Sequence, residues 1–179
     1  MSISPDLFIS APLFGVLSAA AWHDVKSFRI PNSVTGAGLA LGLLLNTALP
    51  EGLGFSSSLL GLAAGLFGLL PLYLLRIWGA GDVKLMAVVG AFLGPIGLAG
   101  SLIFTLLAGG LTALAVACRR RAGGLLFRNL RYMLYQLAFH AQTRSMQAVQ
   151  GPATSAGKVA YAIPILLGTT AYLCYRDLA

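Results

Sequence analysis

The sequence predicts an all-α polytopic membrane protein with about six transmembrane helices, and three observations support this fold class. Of its 179 residues, 58% are hydrophobic and only 9% are charged, whereas a soluble domain carries about a quarter charged residues. Apolar runs of about 17 to 25 residues recur along the chain, and runs of that length can cross a bilayer. The basic residues, thirdly, collect in alternate connections. Composition therefore excludes a soluble globular enzyme.

Six apolar stretches are the predicted spans, and polar residues mark where several of them begin or end. The first stretch ends at the pair His23-Asp24, and it lacks the basic start and the small-residue cleavage site of a signal peptide. The fourth follows the glycine-containing segment 79–81, and a polar loop over residues 150–157 precedes the last. In chain order, the predicted spans are Leu7–Trp22, Ser33–Leu49, Ser57–Leu75, Val83–Leu98, Ala99–Cys118 and Val159–Tyr175.

The charges between the spans predict the orientation in the membrane, because loops rich in lysine and arginine remain in the cytoplasm. Eleven of the 12 basic residues lie in or beside the connections that follow spans one, three and five. These connections are therefore expected inside and both termini outside. The formal charge of +7 is attributed to this bias, so nucleic acid is not an expected partner. The eleven residues are Lys26, Arg29, Arg76, Lys84, Arg119, Arg120, Arg121, Arg128, Arg131, Arg144 and Lys158.

The connection over residues 119–158 contains a stretch from Leu125 to Met146 in which apolar residues recur at helical spacing with arginines between them. This pattern is typical of a basic amphipathic helix on a membrane surface. A solvated connector packed on the helix bundle fits it equally well. Anionic lipid is the expected partner of the region Arg119–Arg131, because clustered basic residues attract acidic headgroups.

Two of the five carboxylates stand apart from the others by their position. Asp24 directly follows the first span and Asp82 opens the fourth, so both are expected at the cytoplasmic ends of membrane helices. An ionisable group there is costly enough to indicate function. Two adjacent carboxyl groups do not both ionise easily, so one keeps a proton while the other accepts a proton from water. The pair therefore predicts aspartic-protease chemistry.

Structural roles for the same two residues also remain open at this point. Asp82 could be the N-cap of the fourth span, where aspartate is favoured, and Asp24 could pair with Lys26 or Arg29. No metal or cofactor is predicted, because the histidines are isolated and the cysteines form no CxxC pair. The glycines before Asp82 are expected to let a peptide backbone approach closely and to allow unusual φ values.

Two motifs in this sequence resemble those of bacterial type IV prepilin peptidases, a family of integral-membrane aspartic proteases. The family's first aspartate motif is similar to residues 24–32, DVKSFRIPN, and its GxGD motif is similar to residues 79–84, GAGDVK. The resemblance implies that Asp24 and Asp82 are the catalytic residues. It further implies that four neighbouring motif residues bind substrate or shape the site: Lys26, Gly79, Gly81 and Lys84.

The resemblance extends over nearly the whole chain and implies a single integral-membrane peptidase domain, residues 1–179, with 119–158 as a cytoplasmic connection. Near the end, residues 158–164 resemble a PYG-type stretch, but alanines stand at positions 160 and 162, so no role of Tyr161 is carried over. The cysteine-rich insert of the longer family members is missing. The chain therefore resembles the short tight-adherence (Flp-type) form, for which methyl transfer is not implied.

The function implied by the resemblance is removal of the short basic leader of a prepilin or pseudopilin at the cytoplasmic face of the bacterial inner membrane. Another GxGD protease, or an assembly scaffold, is an alternative. From a different class, a small transporter or channel subunit could use the aspartates to bind a proton or cation. The sequence leaves open the identity of the substrate, the cleavage-site preference and the oligomeric state.

Overall fold

The computed structural model describes residues 6–50, 52–75, 78–119 and 160–178, together with five single positions between residues 124 and 135. Five helices and no strand occur in these parts, so the all-α class is confirmed for them. The predicted amphipathic helix from Leu125 to Met146 lies mostly outside the described residues. The helices are α1 (Asp6–Ser27), α2 (Asn32–Ala48), α3 (Phe55–Leu74), α4 (Ala80–Arg119) and α5 (Ala162–Leu178).

Three of these helices contain segments that are long and apolar enough to cross a membrane: Phe8–Ser27, Phe55–Leu74 and Ala80–Val116. Helices α2 and α5 have 17 residues each, which corresponds to about 25 Å. Large apolar side chains point outward from the bundle, such as Phe67 at 66% and Leu111 at 69% exposure. This inverted distribution is the one expected where the surroundings are lipid.

Helix α4 breaks at Gly94, four residues before the predicted boundary between Leu98 and Ala99. Gly94 has φ 69° and ψ −177°, a conformation that favours glycine, and Pro95 after it has no N–H to continue the helix. A straight helix would hold Trp78 and Gly109 about 45 Å apart. Tyr161 contacts both residues, so the second half of α4 must run back beside the first.

The first half of α4, from Ala80 to the break, is the central helix of the bundle. Small residues of α3 admit it closely: Gly61 lies against the backbone of Gly90, and Gly65 against that of Ala87. Close approach at glycines spaced four apart is a common form of helix contact in membranes. Residues 85–89 are at most 1% exposed. The packing therefore holds in place the helix whose first turn carries Asp82.

Side chains from α2 and α3 satisfy the carbonyl groups that the break in α4 releases. Asn46, 1% exposed, donates through Nδ2 to the carbonyls of Ala91 at 2.8 Å and Phe92 at 3.0 Å. Ser58 Oγ also donates to the Ala91 carbonyl. The Oδ1 atom of Asn46 accepts from the Leu53 amide at 3.1 Å. This polar cluster fixes the turn of α4 to the connection between α2 and α3.

We expect Asn46→Leu to lower the free energy of unfolding by about 1–3 kcal/mol, because the Phe92 carbonyl and the part-buried Leu53 amide lose their partner, while Ser58 still bonds the Ala91 carbonyl. Denaturation of the detergent-solubilised protein measures this effect. Thr47→Val is the matched control, since Thr47 is exposed and bonds only within its own helix. Equal stability of Asn46→Leu and the parent would contradict the assigned role of the cluster.

Candidate active site

Asp24 lies in the last turns of α1 and is only 7% exposed. Its Oδ2 atom accepts a hydrogen bond from the amide of Ala162 at 3.0 Å. Ala162 is the first residue of α5, and the first amides of a helix have no partner within it. The N-terminus of α5 therefore binds the carboxylate, which its dipole also favours. Asp24 forms no ion pair with Lys26 or Arg29, so the alternative predicted for it is wrong.

The chain turns sharply just after Asp24. Phe28 adopts a left-handed conformation with φ 50°, and its amide donates to the Asp24 carbonyl at 2.8 Å. That position after a helix usually holds glycine, so a phenylalanine there stores strain of the kind that clusters at functional sites. Pro31 follows in an extended conformation and precedes α2. The connection therefore folds back across the end of α1.

Asp82 is the third residue of α4, and Gly79 rather than Asp82 is the N-cap. The Gly79 carbonyl accepts from the amides of Asp82 at 3.1 Å and Val83 at 3.2 Å. In return, Oδ2 of Asp82 accepts from the Gly79 amide at 3.3 Å. The contact of Asp82 with the Gly79 amide is one half of a capping box, in which an acidic third residue reaches back to the cap; glycine has no side chain to supply the other half. The predicted N-cap position of Asp82 is therefore corrected by three residues.

Both aspartates line one cavity of about 330 Å³. Asp24 comes from α1 and Asp82 from α4, so the cavity brings together carboxylates of two helices. In the described part of the chain, the hydrogen bonds engage only the Oδ2 atom of each carboxylate. The arrangement leaves a carboxylate oxygen of each residue for a water molecule or a substrate. Two carboxyl groups in one cavity can act together as general base and general acid.

Three of the four other predicted site residues also line this cavity, namely Gly79, Gly81 and Lys84. The fourth, Lys26, is not among the lining residues. Its Nζ atom lies 4.2 Å from the centre of the Trp22 ring, an arrangement in which the ring attracts the cation. The structure therefore places Lys26 on the outer side of α1.

The two glycines serve the site through their missing side chains. Gly81 lies within α4 and is not among the positive-φ glycines, so the expected need for unusual φ values is not met there. A methyl group on Gly81 would lie 3.3 Å from Ile30. On Gly79 it would lie 2.9 Å from Oδ2 of Asp82, closer than such contacts normally occur. The absence of a side chain at Gly79 therefore leaves room for the carboxylate of Asp82.

Lys84 links the two motif regions. Its Nζ atom donates to Oδ1 of Asn32 at 2.9 Å, which connects the first half of α4 to the start of α2. Asn32 and Arg29, both cavity-lining residues, were not predicted as site residues, although both fall within the first motif. Their positions in that motif are the signal that could have identified them.

We expect Lys84→Met to lower the site's activity by up to about tenfold, because the start of α4 loses its link to α2 and small displacements in a site are costly. Lys26→Met is the matched control, since it removes a lysine that does not line the cavity. The activity measured is the cleavage proposed in the next section, at equal amounts of membrane-inserted protein. Equal losses in the two variants would contradict the distinction drawn between these lysines.

The sequence prediction also missed the segment at the start of α5. Ala162 provides the amide that binds Asp24, and the Tyr161 ring lies 5.3 Å from the ring of Trp78. The motif-like stretch over residues 158–164 was the available signal. No group of three or more potential metal-binding side chains occurs among the described residues.

One comparison with known proteins gives a match. A family model described as the type IV leader peptidase family matches residues 11–117, which is more than half of the chain and includes both aspartates. No curated protein and no solved structure gives a significant match.

Proposed function

The chain belongs to the type IV leader peptidase family, and on that premise we propose that it hydrolyses the leader of a prepilin or pseudopilin with Asp24 and Asp82 as its two catalytic carboxyls. The observation that carries this proposal is the single cavity lined by both residues. They come from motifs on different helices, and a water held between them would face a carboxyl on each side.

In the proposed reaction, the ionised carboxyl accepts a proton from water as the water oxygen bonds to the peptide carbonyl carbon. The protonated carboxyl donates its proton to the carbonyl oxygen, which gives a neutral tetrahedral intermediate. In the second step the first carboxyl, now protonated, donates to the leaving nitrogen as the C–N bond breaks. The other carboxyl takes back a proton from the intermediate's hydroxyl, and both return to their starting states.

The position of the pair suits a peptide bond at the edge of a membrane. Asp24 is near the end of α1 and Asp82 is in the first turn of α4, so the cavity lies at one end of the bundle. A transporter site would more often lie deep within its helices. We place this end at the cytoplasmic face of the bacterial inner membrane, with six spans and both termini outside, because the positive loops belong inside.

The orientation has a direct test in intact cells. A cysteine that replaces Ser2 should react with a membrane-impermeant maleimide, whereas a cysteine that replaces Ser145 should react only after the cells are opened. The native Cys118 and Cys174 are replaced by serine in both proteins. Labelling of Ser145→Cys from outside would contradict the proposed orientation.

The substrate proposal can be tested by coexpression. We expect coexpression with a small prepilin of the tight-adherence type to remove its leader, which is seen as a mobility shift and verified by mass spectrometry of the new N-terminus. A prepilin whose residue before the cleavage site is changed to a bulky one is the matched control. Leader removal without the chain, or none with it, would contradict the proposal for that substrate.

The remaining features of the proposal follow from membership in the leader peptidase family and from the positive charge of the chain. We propose a single peptidase domain that acts without methyl transfer, in the manner of the short tight-adherence form. The basic region Arg119–Arg131 would hold anionic lipid rather than the leader, because a basic leader and a basic surface repel each other.

A further inference from the structure

The first turn of α5 is tied to the site by one buried contact. The Ala162 amide donates to Oδ2 of Asp24 at 3.0 Å, and Ala162 is fully buried. This hydrogen bond joins parts of the chain that are far apart in sequence. The orientation of the Asp24 carboxylate therefore depends on where α5 begins.

Tyr161, the residue just before α5, has contacts on two sides. Its ring lies 5.3 Å from the Trp78 ring, with the planes tilted by 56°, and Trp78 is only 8% exposed. On the other side its hydroxyl lies against Gly109, in the returning half of α4. A methyl group on Gly109 would be 2.7 Å from Oη and 3.1 Å from Cζ of Tyr161.

The backbone of Tyr161 also takes part in the first turn of α5. The Tyr161 carbonyl accepts from the amide of Ile165 at 3.2 Å. The amide that follows Tyr161 in the chain, that of Ala162, is the one bound to Asp24. Trp78 directly precedes the cap of α4, whose first turn carries Asp82. The Tyr161 ring therefore contacts the segment that leads to Asp82, while its backbone continues into the amide that binds Asp24.

We propose that Tyr161 is a positioning residue of this site, and this proposal rests on the proposed function. Its ring, held between Trp78 and Gly109, fixes the first turn of α5 and through the Ala162 amide the carboxylate of Asp24 relative to Asp82. The hydroxyl of Tyr161 takes no part in the chemistry. The ring supplies the contact with Trp78, and glycine at position 109 supplies the space.

Gly109 and its neighbour provide a matched pair of variants. A methyl group on Gly109 meets the tyrosine, whereas one on Gly110 meets nothing within 4 Å. Gly109→Ala should lower kcat for leader removal about tenfold to a hundredfold with little change in KM, because it displaces a carboxylate rather than a binding surface. Gly110→Ala should match the parent.

The decisive test combines Gly109→Ala with Tyr161→Phe, which removes the tyrosine hydroxyl. Tyr161→Phe should keep most of the activity, because the ring and its contact with Trp78 remain. In the double variant Gly109→Ala/Tyr161→Phe, the nearest ring atom is Cζ at 3.1 Å instead of Oη at 2.7 Å. The double variant should therefore recover most of the activity that Gly109→Ala loses, whereas a defect of the alanine that does not arise from the tyrosine contact would not be rescued.

Two other results would overturn the positioning role, and a third would overturn the proposed function as well. Full activity of Gly109→Ala beside an inactive Asp82→Asn would overturn the positioning role alone. Loss of activity in Tyr161→Phe would also overturn it, since the hydroxyl would then act in the chemistry. A parent chain that removes no leader would overturn the proposed function together with this inference.

Discussion

Replacement of either aspartate by asparagine is expected to abolish leader removal. Each variant should lower the rate by about 10²–10⁴-fold, because an amide can neither accept the proton of water nor donate one as a carboxylic acid does. Stability should change little. The side-chain oxygen of asparagine can still accept from Ala162 at position 24, and from Gly79 at position 82.

Asp24→Asn and Asp82→Asn are compared with the parent by the mobility shift of a coexpressed prepilin, at matched amounts of membrane-inserted enzyme. Asp177→Asn is the control, since Asp177 is exposed and pairs with the adjacent Arg176. Normal processing by either site variant would remove that residue from the proposed mechanism. A comparable loss in Asp177→Asn would show that the assay responds to charge in general.

Gly79→Ala is expected to have the second largest effect, with a fall in processing of about tenfold to a hundredfold. The added methyl group would lie 2.9 Å from Oδ2 and 3.7 Å from Cγ of Asp82. The aspartate side chain is short, so its carboxylate cannot move away without losing the hydrogen bond to the Gly79 amide. The displaced carboxylate would no longer face Asp24 correctly.

The kinetic constants of Gly79→Ala are to be compared with those of Gly36→Ala, a variant in which the new methyl group meets nothing within 4 Å. A matched helix content of the two proteins by circular dichroism would assign the loss to the site rather than to folding. If Gly79→Ala processes the prepilin at the parent rate, the carboxylate tolerates this displacement and our account of the glycine is wrong.

Local features of the sequence were enough to predict the class of protein and to single out the two carboxylates that we propose as catalytic. The membrane class follows from composition, since too few charged residues exist to cover a soluble surface. Asp24 and Asp82 were identified because each carboxylate lies beside an apolar run, where few other residues carry charge. Both properties are visible within a short window of the chain.

The exact position of the turn in α4 was less predictable. Residues on both sides of it are apolar, so hydropathy placed the boundary after Leu98. The structure places it at Gly94, where Asn46 and Ser58 from other helices bond the released carbonyls. A break in an apolar helix is stable only where such partners exist, and these partners are distant in sequence.

The sequence by itself therefore determined the membrane class and singled out the two carboxyl groups that line one cavity. The tertiary structure alone decided how those groups are held: the Gly79 cap behind Asp82, the Ala162 amide on Asp24, and the Asn32 contact of Lys84. Hydropathy and motif spacing are properties of neighbouring residues. Hydrogen bonds between helices depend on how the helices pack, and that packing is the sum of many weak contacts across the whole bundle.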